Sequence, residues 1–206
     1  MSTENDYIPE RLAFARERAP YQRQHPAVGR FCIIGPNVSI GNGTVIRNNV
    51  TISGKVKIGE NCLIKSNTVI GEKGFSWGFT KDLEPVAIVH TGGVVIGNNV
   101  EIGALCTVAG GTLEPTVLGD YVKLDDHIHI AHNCKVGRKT IITAGVTLSG
   151  GVVAGEKCWL GLHSTYKNKV VLADRTLVGS GANVINDTDY GDIVVGNPAK
   201  VIRKRD

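Results

Sequence analysis

Three histidines and a cysteine fall within eight residues in the stretch DDHIHIAHNCKVG, Asp125 to Gly137. Imidazole and thiolate are common zinc ligands, so the cluster could hold a metal. Alternatively, one imidazole could take a proton during group transfer while its neighbours only decorate a surface. The residue types fit both chemistries. Which one applies depends on where each histidine faces, and therefore on the elements that carry them.

Those elements repeat. Isoleucine recurs every six residues at Ile34, Ile40, Ile46, Ile52, Ile58, Ile64 and Ile70. The frame stops at GEKGFSWGFTKDLEPVAIVHTGG and resumes at Ile96, Ile102 and Val108. A four-residue insertion in GGTLEPTV shifts it to Leu118, and it then runs to Val184. With Val28 included, the hexads fill about two-thirds of the chain, the signature of a repeat architecture. Glycine often follows the aliphatic residue, as at Gly35, Gly41, Gly59 and Gly97, and a small or β-branched residue sits four after it. A period of six is neither helical nor hairpin-like. Short strands joined by tight turns produce it when the chain coils into a triangular prism, three hexads to a turn. Residues two apart share a strand face. The small residue and the next aliphatic therefore both point inward, and the glycine is expected to permit the sharp corner.

This frame assigns the polar residues. Cys32, Cys62, Cys106, Cys134 and Cys158 all lie four after an aliphatic position, so they read as small core hydrophobes rather than ligands or disulfide partners. His127 falls near one corner, His129 faces outward on a strand, and His132 falls on the next corner. The three histidines do not share a phase and so do not converge by construction. Composition agrees with a repeat protein. The 26 glycines lack a collagen period, and 4 Phe, 5 Tyr and 2 Trp leave few aromatics for a core. A net charge of +4 does not suggest nucleic acid. The opening MSTENDYIPERLAFARERAP has no apolar stretch suited to a signal peptide or membrane span, so a soluble cytoplasmic protein is expected.

The hexad pattern resembles the hexapeptide-repeat acyltransferases, left-handed parallel β-helices that form trimers with active sites between prisms. Around His132, IAHNCKVG is similar to the catalytic segment of two branches. One comprises the UDP-3-O-acylglucosamine N-acyltransferases of lipid A synthesis, which VIGEKGF and VVIGNNVEIGALCTV also resemble. The other comprises N-acetyltransferases of nucleotide-linked amino sugars. The resemblance implies His132 as general base and the amide of Gly150, one coil along, as oxyanion donor. It places Asn133 beside the base, where some amino-sugar enzymes carry an acidic partner for the histidine. Asp125 matches a polar position on the substrate side, with Asp126 next to it. The GNPAK ending is similar to that of coenzyme A-using members, and this implies cofactor contacts at Asn168, Ser180, Lys200, Arg203 and Lys204 as well as Gly150.

Some features depart from the lipid A branch. That branch has an N-terminal uridine-binding domain, a C-terminal helical extension and an acidic–basic pair where this chain reads VAGGTLEP. These differences favour acetyl-CoA over acyl carrier protein as donor. The expected organisation is an N-terminal cap over residues 1–27, with a helix starting near Pro9. A β-helix follows over 28–189 with a loop insertion at 75–95, and a cofactor-proximal tail spans 190–206. Phe75 and Trp77 in the insertion are expected to reach a neighbouring subunit and help form the acceptor pocket, and Trp159 to pack at a trimer contact. The reading is a homotrimeric N-acetyltransferase acting on a nucleotide-linked amino sugar for surface glycan synthesis, with no metal. Sugar O-acetylation and carrier-protein-dependent N-acylation are the alternatives. A γ-type carbonic anhydrase, which binds zinc through histidines of two chains, is a remote one, and a purely structural repeat protein is another.

Overall fold

The computed structural model describes residues 25–205. The cap predicted before Val28 lies almost wholly outside them. Among the described residues there is no helix, and the chain is a parallel β-solenoid with three faces of ten, eight and seven strands. Each aliphatic residue of the repeat ends or nearly ends a two- or three-residue strand, as in Ile33–Ile34, Val45–Ile46 and Ile141–Ile142. Those residues form the core: Ile52, Ile64, Ile102, Leu118, Ile130 and Leu148 are fully buried. Tyr166 occupies the same phase, and its hydroxyl meets Ser164 Oγ at 2.9 Å. A polar atom inside an apolar prism is thereby satisfied.

Successive coils pair in register. Val117, Lys135, Val153 and Val171 lie side by side on the seven-stranded face, each 18 residues after the one before. Corner contacts separated by 18 residues recur along the chain. The separation rises to 38 across the first insertion and to 22 across the second. The first insertion carries an antiparallel hairpin, Trp77–Phe79 with Pro85–Ala87. The second carries the four extra residues that shift the frame. Both insertions leave the eight-stranded face at the same corner, next to its strands Val69–Lys73 and Thr107–Gly110, which pair.

The corners differ from expectation. Apart from Gly71 (φ 91°) at the first insertion, the glycine after the aliphatic residue is not the one that turns: Gly41, Gly59, Gly97 and Gly137 have ordinary φ. The left-handed residue comes two positions later; it is glycine at Gly43, Gly145, Gly151 and Gly181 but more often another residue, as at Asn61 (φ 55°), Asn99 (58°), Tyr121 (62°), His127 (59°) and Lys139 (60°). Such a conformation is costly outside glycine. Here it directs the residue's N–H at the preceding coil, as from Tyr121 to Asn98 O at 2.9 Å and from Lys139 to Asp120 O at 2.9 Å. The glycines have a different task. A Cβ on Gly41 would lie 2.6 Å from the backbone of Gly59, and one on Gly137 would lie 2.5 Å from Gly155. They let stacked corners touch.

The cysteines follow their predicted phase. Cys62, Cys106, Cys134 and Cys158 are buried, Cys32 in the first coil is partly buried, and all five are free thiols. Burial pushes the thiols of Cys134 and Cys158 up to about 11, so both remain protonated. Three buried threonines complete this layer. Thr140 Oγ1 donates to Gly155 O at 2.8 Å and accepts the Cys158 N–H at 3.0 Å. Thr44 does the same for Gly59 and Cys62, and Thr68 for Gly103 and Cys106.

Candidate active site

His132 follows the strand His129–Ile130, on the corner from which both insertions depart. Its Nδ1 lies 2.9 Å from Asn133 Oδ1. The amide of Asn133 is oriented by backbone groups. Its Nδ2 donates to Glu114 O at 3.0 Å, and its Oδ1 accepts from Thr112 N at 3.3 Å and Thr112 Oγ1 at 3.1 Å. A carbonyl cannot donate and an N–H cannot accept, so Oδ1 must be the atom facing His132. Nδ1 of His132 therefore carries the proton, and Nε2 is left with its lone pair. The second insertion makes this possible. At other corners the left-handed residue donates its N–H to a carbonyl of the preceding coil. Asn133 (φ 61°) donates to Thr116 Oγ1 at 2.9 Å instead, and Thr112 and Glu114 fold over its side chain.

Two glycines lie against the ring. A Cβ on Gly150 would come within 2.8 Å of both Cε1 and Nε2 of His132. A Cβ on Gly74, in the first insertion, would come within 2.7 Å of its Cβ and 2.9 Å of Cδ2. Both positions exclude any side chain while His132 stays in place. Gly151, after Gly150, donates its N–H to His132 O at 2.9 Å, which locks the two corners together. Among the described residues no acceptor engages the N–H of Gly150 itself, so an open amide donor sits next to the free Nε2.

The cavity beside this pair has a volume of about 560 Å³. His132, Gly150, Asn168, Phe75 and Ala109 line it, and so does the outward row Val69, Thr107, His129 and Thr147 of the eight-stranded face. Glu72 and Lys73 bring one charge of each sign, and Glu72 accepts from Ser53 Oγ at 2.7 Å. His129 is a functional candidate that the hexad phase passed over as ordinary surface. Its Nδ1 lies 2.6 Å from Thr107 Oγ1, and burial lowers its basicity below that of a free imidazole. Its spacing of three from His132, with only Ile130 and Ala131 between, was the available signal.

The other predicted residues divide into groups. Phe75 is 85% exposed at the cavity edge, with its ring 5.7 Å from that of Trp77. Asp125 and Asp126 occupy the corner at the opposite edge of the eight-stranded face. There Asp126 Oδ1 accepts the Ala104 N–H at 2.7 Å, and neither residue lines the cavity of its own chain. Ser180 lies further along that second corner. Lys200, Arg203 and Lys204 belong to the exposed strand Lys200–Lys204, antiparallel to Asp192–Val195 at the end of the ten-stranded face. Lys204 Nζ is paired with the buried Asp192 at 2.7 Å. His127 and His132 stand on different corners, and among the described residues no three His, Cys, Asp or Glu side chains gather as a metal site would require.

The bacterial transferase hexapeptide family (six repeats) matches residues 38–72 and 115–150. A UDP-3-O-acylglucosamine N-acyltransferase of Bordetella parapertussis is 40% identical over 100 residues, which is 48% of this chain and 28% of that protein. Its counterpart in Campylobacter curvus is 33% identical over 126 residues, 61% of this chain and 40% of the relative. This chain thus spans well under half the length of the curated relatives it matches. The crystal structure of Francisella novicida UDP-N-acetylglucosamine acyltransferase superposes with a TM-score of 0.79 at 26% identity, covering 87% of this chain and 64% of that one. No helix among the described residues is long and apolar enough to cross a membrane. The repeat frame, the three-faced solenoid and these matches agree on the fold: the chain carries hexapeptide repeats similar to those of this family and is built as a left-handed parallel β-helix like its solved structural neighbours.

Proposed function

We propose that the protein is an acyltransferase that moves an acyl group from a coenzyme A thioester, acetyl-CoA in the first instance, to the amine of a nucleotide-linked amino sugar. The observation that carries this reading is the fixed tautomer of His132, with a lone pair on Nε2 beside the open N–H of Gly150. The amine lone pair attacks the thioester carbonyl, and a C–N bond forms as the carbonyl π electrons move to oxygen. His132 Nε2 takes the proton released by the amine, a step that contributes about 10²–10⁴-fold. The Gly150 N–H holds the oxyanion. The C–S bond then breaks, and the thiolate leaves with the proton now on His132. Neutral His129 and Thr107 line the acceptor side without adding charge.

The relatives named above support the acceptor class. We further propose a homotrimer, in which Asp125 and Asp126 reach His132 from a neighbouring prism while Phe75 and Trp77 cover the acceptor. Ile141 and the 41% exposed Trp159, on the outer row of the ten-stranded face, would pack between prisms. The tail stands four strands beyond the coil of Gly150 on the ten-stranded face, about 19 Å at ~4.8 Å per strand. A phosphopantetheine arm can bridge that distance, and this supports contacts from Lys200 and Arg203 to the nucleotide end of coenzyme A. O-acylation is the second reading. It is favoured by the solved acyltransferase named for UDP-N-acetylglucosamine, an acceptor whose amine is already acylated.

A panel of nucleotide-linked amino sugars and N-acetylated sugars, each offered acetyl-CoA or a 3-hydroxyacyl carrier protein and followed by mass spectrometry, tests the reading. Transfer from acetyl-CoA to an amine is expected, with kcat reduced about 10²–10⁴-fold in a folded His132→Ala variant. Efficient transfer from the carrier protein alone would overturn the donor assignment, and transfer only to a hydroxyl would favour the second reading.

A further inference from the structure

His90 lies at the end of the first insertion, outside the hexad frame and outside the lining of the cavity. Its ring packs against His132 with centroids 5.4 Å apart and planes at 78°. Its own orientation is fixed. Nδ1 lies 2.9 Å from Ile88 O, a carbonyl that can only accept, so Nδ1 carries the proton. In the neutral ring Nε2 then holds a lone pair, and among the described residues that buried nitrogen has no hydrogen-bond partner. The segment around it is tied down at both ends. Ile88 N donates to Ser76 O at 2.9 Å and closes the hairpin. Thr91 N donates at 2.6 Å to the carbonyl of Thr112, the residue that orients Asn133.

A buried acceptor without a donor weakens a fold, and native proteins carry few of them. Phenylalanine would fill the same space against His132 without that cost. The nitrogen belongs to a ring in contact with the proposed base, and the base becomes positively charged only during the reaction. An acceptor unsatisfied at rest and useful once that charge appears is a group stabilising the transition state more than the ground state.

We propose that His90 is a positioning residue for this centre: its neutral imidazole helps Gly74 and Gly150 to fix the ring of His132, and its open lone pair stabilises His132 after proton uptake. The inference rests on the proposed acyl transfer for its purpose but can be tested without turnover. Glu72, Lys73 and His129 are the other titratable groups sharing the cavity with His132, and all three stay unchanged in the variants. Histidine-resolved NMR of the full-length protein follows the pH at which His132 gains its proton in wild type, His90→Phe and His90→Ala. In the folded His90→Phe protein this midpoint should fall by about one pH unit, a tenfold loss of proton affinity. With the substrate pair found by the panel above, His90→Phe should lower kcat about tenfold with both KM values within about twofold, and His90→Ala should lower it further.

An unmoved midpoint in a folded His90→Phe protein overturns the inference, as does wild-type kcat in that variant. If His132→Ala keeps full activity, the base assignment fails instead, and the NMR result still decides whether the two rings interact. If His90→Ala does not fold, His90→Phe, which keeps the ring volume, carries both measurements.

Discussion

At the scale of single residues, the centre depends on two places where a side chain is missing. Adding a methyl at Gly150 would put carbon 2.8 Å from Nε2 of His132, and adding one at Gly74 would put it 2.7 Å from His132 Cβ. Either substitution forces the imidazole out of place or shifts a corner. Gly150→Ala keeps the backbone N–H but displaces it relative to His132, and is expected to lower kcat by about 10²-fold or more, as for a misplaced base and oxyanion donor. Gly74→Ala should also depress kcat, although position 74 touches no reacting atom. Circular dichroism and melting curves close to wild type would show that the loss is local, and full activity in both variants would remove the clamp. His132 was legible in the sequence because its corner position and the IAHN motif coincide. Gly150 was legible as well, one coil of 18 residues after His132 at the same corner, whereas Gly74 and His90 were not, since they reach it across 58 and 42 residues of numbering from the irregular first insertion. Asn133 was legible as a neighbour of the base. Its orientation was not, because it depends on backbone atoms of Thr112 and Glu114.

At the scale of the coil, the six-residue period revealed the strands, the inward cysteines and the four-residue shift, because each depends on which residues face an apolar interior. It misplaced the turn. The glycine was expected to bend the chain, whereas it lets neighbouring coils touch and a left-handed residue two positions later makes the bend. Sequence alone hides this because Asn, Lys, His and Tyr all occupy that bend, and the coil below compensates the strain with a hydrogen bond. Inside the prism, Thr44, Thr68 and Thr140 each hold a carbonyl and an N–H that water cannot reach. Thr140→Val keeps the volume and removes both hydrogen bonds to Gly155 and Cys158. Stability should fall by about 1–3 kcal/mol for the unsatisfied groups. Chemical denaturation measures it, and a valine variant as stable as wild type would mean the Thr–Cys layer contributes packing alone.

At the scale of the molecule, the solenoid ends in a return strand pinned by one ion pair, the buried Asp192 with the exposed Lys204 at 2.7 Å. Burial alone would raise the Asp192 carboxyl. The hydrogen bonds from Lys204 and the Asp189 N–H outweigh it, and the group is held below its ordinary value. A carboxylate lowered by folding contributes stability above its unfolded value of about 3.9, and that contribution is lost as the pH falls through the lower folded value. Asp192→Asn should therefore lower the Tm near pH 7 and flatten the decline of Tm in acid below about pH 4. An acid decline as steep as wild type would place the sensitive group elsewhere. The in-register stacking of coils has a consequence for length itself. Because each coil touches only its neighbours, this protein can gain or lose chain in whole turns. Deleting residues 34–51 joins Ile33 to Ile52, which take up the positions of Ile33 and Ile34, so every later pairing survives. Removing one residue fewer would put the first coil out of phase with all later ones and break the pairing at that junction. The first shortened protein should fold and the second should not, and lineages of such proteins should differ in length by steps of 18 wherever no loop leaves the prism.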